Sequence, residues 1–524
     1  MEIRTGPLAL DSSRAQGAIQ QVQSALAPQT FAAGGAGGDG YVPLQVNQDA
    51  VGGLHVRMQR TFEGTKVFGE QRIGHMDRGG SLTDVTGEVE AIEPGLAEGV
   101  KLSAEQAESA ARQALGKTPD EKPSVEKVIF RDDQGSYRAG YHVELADFSG
   151  PGLAKRMNYL VDGATGEVVK SWNALGGFEM PHGDHGDHGG HGAQAAAVPG
   201  RPFPFPAPGG GGQVDPRGGM PVSTGADDRT LYSGIVDLNT TRLPNGQHAL
   251  RDTTRGNGIE TRDAQNRQTD AGSVLITDNN GHFGETTDSM RQRAAVDAQY
   301  GAQMTYDFYK DVLGRNSIDG RGEKLVNNVH LGRNWVNAQW TGQQMDYGDG
   351  DGRTSGPLTT LDIAGHEITH GLTQRTAGLI YQGESGGLNE AFSDIMGTGV
   401  EWYASQKNPS VKFDWTIGED AFKQGSGGLR FMNDPSRDGR SVDHYSRYRP
   451  GMDVHFSSGI ANNAFYLLAN GGTNRTSGQG VAGGIGIEKS LKCFAHALTN
   501  YMTPNTSFSQ ARAACVRAAT DLFG

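Results

Sequence analysis

Polar and apolar positions alternate with a period of two along much of the first third of the chain. His55-Val56-Arg57-Met58-Gln59-Arg60-Thr61-Phe62 and Val67-Phe68-Gly69-Glu70-Gln71-Arg72-Ile73-Gly74-His75 flank a Glu63-Gly64-Thr65 turn. That pattern predicts a hairpin of half-buried strands. Residues 13–26 read as a short helix before it, followed by a Gly/Ala-rich spacer at 32–40. Residues 103–115 predict a second helix, opened by Ser103 with Gln106 three positions on, the spacing of a capping box. Further strands are predicted at 125–130, 137–145 and 157–161, and at 167–172 after a turn at 162–166. One or two small α+β domains fit this pattern, and no catalytic constellation is visible in them.

Between 173 and 225 the periodicity stops. His182, His185, His188 and His191 recur at every third position, then a proline-rich run at 199–208 leads into glycines at 209–212. This reads as a linker, semi-rigid where proline-rich and flexible where glycine-rich, and a place where proteolytic nicking concentrates. Patterning returns at about 226. Residues 231–238 predict a strand, 239–246 are turn-rich, and 294–312 predict a helix with Tyr300, Met304, Phe308 and Tyr309 on its apolar stripe. Residues 329–331 are strand-like. Residues 347–352 imitate a calcium loop but lack its closing bidentate glutamate, which favours a tight glycine turn. After Leu361 the pattern is mainly helical, so a β-rich half is joined to an α-rich half.

Composition narrows the classes. At 524 residues the chain is too long for one core, and its 79 glycines imply many turns. A net charge of −13 without a basic stripe argues against a nucleic-acid partner, and no apolar run approaches the roughly 18 residues of a membrane span. Cys493 and Cys515 could close a disulfide or stand as two buried thiols, with the disulfide the expected arrangement. Residues 1–10 carry no apolar stretch of secretory-signal length.

The chemistry concentrates in His366-Glu367-Ile368-Thr369-His370. Two histidines four apart on a helix share a face and can grip zinc, and Glu367 between them is placed as a general base. Glu390, twenty residues after His370 in a second predicted helix, is the candidate third ligand. Asp394 lies one turn further on the same face, where it can orient a ligand imidazole through its free N–H, and Asn389 is a lesser candidate for that support. A third histidine six residues after His370 would be an alternative ligand, but Thr376 stands there.

Taken together, the His-Glu-x-x-His and Gly-x-x-Asn-Glu-x-x-Ser-Asp segments resemble the thermolysin-like zinc metallopeptidases across residues 226–524. Residues 61–71 resemble the fungalysin/thermolysin propeptide motif, and 159–169 the end of a PepSY domain. The resemblance implies an α+β multidomain precursor: an α+β pro-region, then a two-lobed zincin with its cleft between a β-rich and a helical lobe. The expected division is 1–82 for the propeptide domain, 83–172 for a PepSY-like pro-domain, 173–225 for the linker with its processing region, 226–363 for the β-rich lobe and 364–524 for the helical lobe. It implies a substrate-pairing edge strand at Asn337, Ala338 and Trp340, oxyanion donors Tyr381 and His455, and Asp453 orienting His455. Arg430 would bind a substrate carbonyl and buttress the pocket, and Leu358, Ile363 and Leu429 would favour an apolar residue after the scissile bond. A single structural calcium is implied at Asp362, Glu401, Asp414 and Glu419 with the Thr416 carbonyl, because paired sites carry a glutamate where Thr416 stands.

The function implied is a precursor of a zinc-dependent endopeptidase that removes its own pro-region, an inhibitor and folding aid. It would act on peptides and proteins, away from membranes, as a monomer once mature. Secretion is implied by the resemblance and is at odds with the missing signal peptide. The family also continues by one more helix past 518–524, which bears on packing in the helical lobe. The rival reading is a catalytically silent binding protein that works through its pro-region-like domains or the histidine-rich linker.

Overall fold

The computed structural model describes residues 5–27, 38–148, 155–176, 220–223, 228–285, 289–423 and 427–524. The histidine repeat and the Pro/Gly-rich run of the linker lie outside these residues.

The pro-region forms one continuous nine-stranded sheet. Helix α1 (Ser13–Leu26) is capped by Ser12, and its Ala15, Ile19 and Val22 pack on Leu54, Val56 and Met58 of the hairpin. Helix α2 (Ala104–Leu115) carries the expected capping box and packs Ala107 and Ala111 on Val143 and Tyr159. The hairpin forms from Leu54–Phe62 and Thr65–Met76, turning at Glu63 and Gly64, which both have positive φ. The structure corrects one expectation here. Both faces of these strands are buried, including His55, Arg57, Gln59, Arg72 and His75. Their polar face is docked on the helical lobe. Arg57 Nη1 donates to the Met502 carbonyl at 2.8 Å, Asn47 Nδ2 to Asn500 Oδ1 at 2.6 Å, and Asn505 Nδ2 returns a bond to the Gly69 carbonyl at 3.0 Å. A period of two separates the faces of a strand but does not say whether the polar one meets water.

The β-rich lobe contains a six-stranded sheet whose edge strand, Ala338–Trp340, pairs antiparallel with Met345–Gly348. The strand expected at 231–238 is instead a small hairpin of Asp228–Arg229 and Ile235–Val236, because the chain reverses at Gly234, where φ is +75°. Asn239–Arg242, expected as turn, is a strand paired with Met220–Ser223, inside the span read as linker. Helix α3 (Met290–Asp311) starts earlier than expected because Ser289 caps it, and it buries Tyr300, Phe308 and Tyr309. The glycine turn holds as expected: Asp351 Oδ1 accepts from the Arg353, Thr354 and Ser355 amides.

The helical lobe comprises α4 (Leu361–Arg375), α5 (Gly383–Ser405), the short α6 (Val454–Ser457), α7 (Gly459–Asn470), α8 (Ile487–Asn500) and α9 (Phe508–Phe523). Helices α4 and α5 cross where both backbones are bare. A Cβ on Gly365 would meet Gly397 Cα at 2.9 Å, and one on Gly397 would meet the Asp362 carbonyl oxygen at 2.4 Å. This close crossing brings side chains of two helices to one point. Cys493 and Cys515 are free thiols, which corrects the expected disulfide. Cys515 packs against the lobe core, and burial, with Cys493 beside it, pushes its thiol up to about 12, so it stays protonated. Among the described residues no helix is long and apolar enough to cross a membrane.

Candidate active site

On α4, the Nε2 atoms of His366 and His370 stand 3.0 Å apart. From α5, Glu390 brings Oε2 to 3.5 Å from His366 Nε2 and Oε1 to 3.4 Å from His370 Nε2. Bonds of about 2.0–2.1 Å to a tetrahedral zinc put donor atoms about 3.4 Å apart, so this set fits the ion. Glu390 Oε2 is buried without a hydrogen-bond partner, and a cation at this point satisfies it.

The outer ring nitrogens are held. Asn389 donates Nδ2 to the Leu379 carbonyl at 2.9 Å, which turns Oδ1 toward His370 Nδ1 at 2.8 Å. It therefore accepts the Nδ1 proton and leaves the Nε2 lone pair for metal. Asp394 Oδ1 does the same for His366 Nδ1 at 2.9 Å. Asp394 is itself clamped by Arg430 Nε and Nη2, at 2.7 and 2.6 Å, and by Asn462 Nδ2 at 2.8 Å. Burial alone would raise both carboxyls. Arg430 and His366 hold Asp394 well below its usual range, and His455, His366, His370 and Arg430 lower Glu390. Burial takes His370 down to about 4 against the pull of Glu390, which keeps it a neutral ligand. Arg430, expected on a substrate carbonyl, has its guanidinium on Asp394, with Nη2 3.9 Å from Glu390 Oε2. Asn462 was not singled out from sequence. It reaches Asp394 from α7, with no spacing signal to announce it.

Glu367 is fully buried, beside the Trp340 backbone, and burial followed by the Glu390 charge pushes its carboxyl well above the ordinary value. The Tyr381 hydroxyl donates to Glu390 Oε1 and lies 3.1 Å from His455 Nε2. Asp453 Oδ1 accepts from His455 Nδ1 at 2.8 Å and from the His455 amide at 2.9 Å, capping α6. Burial opposes a charge on His455, but Glu390 and Asp453 outweigh it and raise the imidazole to about 9. Tyr381 and His455 face a cavity of about 1910 Å³ whose far wall is pro-region, Glu70 and Trp172 among it. The Asn337 carbonyl accepts from Gly348 N at 2.9 Å where the edge strand begins. Leu358 and Ile363 are sealed in the lobe core and Leu429 is half-buried against it.

A second cluster lies on the same two helices, with Asp362 on α4 and Glu401 on α5. Carboxylate oxygens of Glu401, Glu419 and Asp420 gather within 4.8 Å. Asp362 Oδ2 accepts from the Gly418 amide, and Glu401 Oε2 from the Asp414 amide at 3.4 Å. Burial, then Asp362 and further acids around it, raise Glu401 strongly, Glu419 to about 9 and Asp420 to about 6. Asp420, next to Glu419, is not among the ligands expected from sequence. For Thr416 the structure shows its N–H on Asp414 Oδ1 at 2.6 Å.

Comparison with known proteins gives a consistent picture. The model of the thermolysin metallopeptidase catalytic domain matches residues 225–374, that of its alpha-helical domain 377–524, and the fungalysin/thermolysin propeptide motif 39–89. The chain is 37% identical over 514 residues to thermolysin from Alicyclobacillus acidocaldarius subsp. acidocaldarius, covering 94% of this chain and 84% of that protein. It is 38% identical over 505 residues to bacillolysin from Bacillus cereus, covering 93% and 82%. Among solved structures, the precursor of protealysin from Serratia proteamaculans aligns at 30% identity and a TM-score of 0.41, over 51% of this chain and 82% of that one.

Proposed function

The chain belongs to the thermolysin metallopeptidase family and is a zinc-dependent metalloendopeptidase carrying a propeptide; on that premise we propose that it is an autoprocessed precursor, held inactive by its own pro-region. His366, His370 and Glu390 hold the zinc, which when bound supplies a Lewis acid that polarises a peptide carbonyl and acidifies water. Glu367 takes the proton of the attacking water and returns it to the leaving amine. Tyr381 and His455 donate to the developing oxyanion, and Asp453 fixes the His455 ring so that Nε2 points inward. Asn337, Ala338 and Trp340 align the substrate backbone along the edge strand, and Arg430 buttresses the site through Asp394. The resemblance at Leu358, Ile363 and Leu429 supports an apolar preference after the scissile bond, with Leu358 and Ile363 acting from beneath the surface because both are fully buried. The preference is a broad one, since a methylene in such a pocket discriminates by only about 1–3 kcal/mol.

The observation that carries the peptidase chemistry is the convergence of three candidate zinc ligands, two of them histidines whose outer nitrogens are already held. Inhibition by the pro-region is supported by Gly176, just past its last strand: a Cβ there would come within 2.9 Å of the Tyr381 hydroxyl. The acid cluster of Asp362, Glu401, Asp414, Glu419 and Asp420 is the proposed site of one calcium, with the Thr416 carbonyl as a further ligand. Secretion, and a monomeric mature form, complete the proposal. To test it, wild type and Glu367→Ala are expressed as the full 55.6 kDa chain and incubated with zinc. Wild type should shorten and digest casein, both blocked by chelator, while Glu367→Ala stays full length with activity lower by about 10²–10⁴-fold, the scale of general-base catalysis. Equal processing in the two would remove Glu367 from the chemistry. A wild type that neither shortens nor cuts casein sinks autoprocessing and the reading together.

A further inference from the structure

The polar face of the pro-region hairpin buries a second His/Asp group against the helical lobe. Asp49 sits in the turn before Leu54–Phe62. Its Oδ1 accepts from the Val51 and Gly53 amides at 3.0 and 2.7 Å, so only Oδ2 projects. Oδ2 lies 3.0 Å from His55 Nε2 and 3.9 Å from Nε2 of His496, which belongs to α8. Ligand atoms of all three gather within 4.8 Å, and all three residues are buried. The separations bracket those of the catalytic trio, 3.0 to 3.5 Å. The His55 and His496 rings meet edge-on at 5.8 Å, against 4.7 Å for His366 and His370.

The surroundings match what a metal centre needs outside its ligands. His55 Nδ1 is 2.8 Å from His75 Nδ1, and His75 Nε2 is 2.7 Å from Thr86 Oγ1. When His75 accepts the His55 Nδ1 proton and donates its own to Thr86, the His55 lone pair is on Nε2, facing Asp49 and His496. Asp521 Oδ2, which takes the Tyr501 hydroxyl at 2.6 Å, adds a second carboxylate 3.1 Å from His496 Nε2. The nearby arginines are engaged elsewhere, Arg57 by the Met502 carbonyl and Arg517 by Asp84.

We propose that Asp49, His55 and His496 form a second divalent-metal site, of zinc type, that ties the pro-region to the helical lobe. Two nitrogens and one carboxylate oxygen suit zinc among the common cations, and Asp521 is placed to supply the fourth donor. Two ligands come from the pro-region and one from the enzyme. The site therefore exists only in the precursor and disappears when the pro-region leaves, so bound metal adds its affinity to pro-region docking.

The test uses the full-length Glu367→Ala chain, which keeps its zinc ligands and does not depend on cleavage, so the result stands apart from the peptidase reading. After loading with zinc and gel filtration, metal per chain is counted by mass spectrometry. His496→Gln and Asp49→Asn, each added to Glu367→Ala, should both lower the count by one zinc, and the two together by no more than one. The linker histidines are present in every variant and cancel in the difference. The zinc that remains reports a folded catalytic centre, and Asp49→Asn, isosteric and able to keep its turn, guards against misfolding by His496→Gln. Equal zinc in all variants overturns the site. A loss from one side alone overturns the bridge.

Discussion

Two groups of acidic side chains share α4 and α5, and they are built on opposite electrostatic plans. At the zinc centre Glu390 and Asp394 face cations or imidazoles, while the base Glu367 faces Glu390 and is raised. Glu390 meets His366, His370, His455 and Arg430, and Asp394 is clamped by Arg430 and His366, so both stay ionised despite full burial. About three turns along α5, Glu401 faces Asp362, Glu419 and Asp414, whose charges all raise it after burial, against only the Asp414 amide that lowers it. The first group is organised before any ion arrives. The second crowds like charges together, which a cation among its members would relieve. Zinc should therefore govern reaction, and calcium should govern stability.

The largest effect that tests this division comes from removing each ion separately. Stripping zinc from mature enzyme should abolish peptide hydrolysis while the emptied site stays folded, because Asp394, Asn389 and Arg430 keep the ligands in place; the melting temperature loses only zinc's own ligand linkage. Stripping calcium should lower the melting temperature by about 5–10 °C. This follows from about 2.7 kcal/mol of ligand linkage at a hundredfold excess over Kd, at about 2–4 °C per kcal/mol. Calorimetry on the uncleaving Glu367→Ala chain, with Asp49→Asn added to take out the second metal site, keeps autolysis out of the measurement. If calcium removal abolishes hydrolysis at a temperature where the chain is still folded, the two sites do not differ in the way proposed.

A smaller effect probes the zinc side alone. Asp394→Asn weakens the grip on His366 Nδ1 and on Arg430, and zinc affinity should fall about 10–100-fold, measured by competition with a chromophoric chelator. The matching change in the other group, Asp420→Asn, removes one of several like charges. It should weaken calcium while leaving the calcium-free melting temperature the same or higher. A zinc affinity untouched by Asp394→Asn would mean that Asn389 alone sets the geometry.

The same contrast explains what could be read from sequence. His366, Glu367, His370, Glu390 and Asp394 were legible because helical spacing alone puts each on a known face. Helix α2 was legible from the capping-box spacing of Ser103 and Gln106. Asn462 and Asp420 were not, since one acts from a separate helix and the other hides beside Glu419. The hairpin at 54–76 was read correctly as strands and wrongly as half-solvated, because what covers Arg57 is the Met502 carbonyl, over four hundred positions away. The strand expected at 231–238 failed at Gly234, whose positive φ overrides an apolar run. Local periodicity carries local structure, while docking between distant segments leaves little trace in it.

The smallest effect is a pH slope, and it separates the two groups by sign. In calcium-free protein Glu419 is raised to about 9 and Asp420 to about 6. An unfolded chain sheds those protons near pH 4, so through the window from about 4.5 to 9 the folded chain binds more protons than the unfolded one. Stability then falls as pH rises, by at most about 1.4 kcal/mol per unit for each full proton of difference. His455, raised to about 9, adds a slope of the same sign from the zinc centre, because its stabilising charge is present below about 6.5 and lost through 9. The buried His55 and His75 act oppositely, but only on the acid side of their unfolded values. Melting temperatures taken from pH 7 to 9, with zinc held and calcium either saturating or removed, cancel the histidines and leave the acid group. The calcium-induced gain should widen steadily across that range, since calcium replaces protons that the carboxylates would otherwise keep. A gain that is flat or narrows from pH 7 to 9 would place the raised carboxyls outside the calcium site.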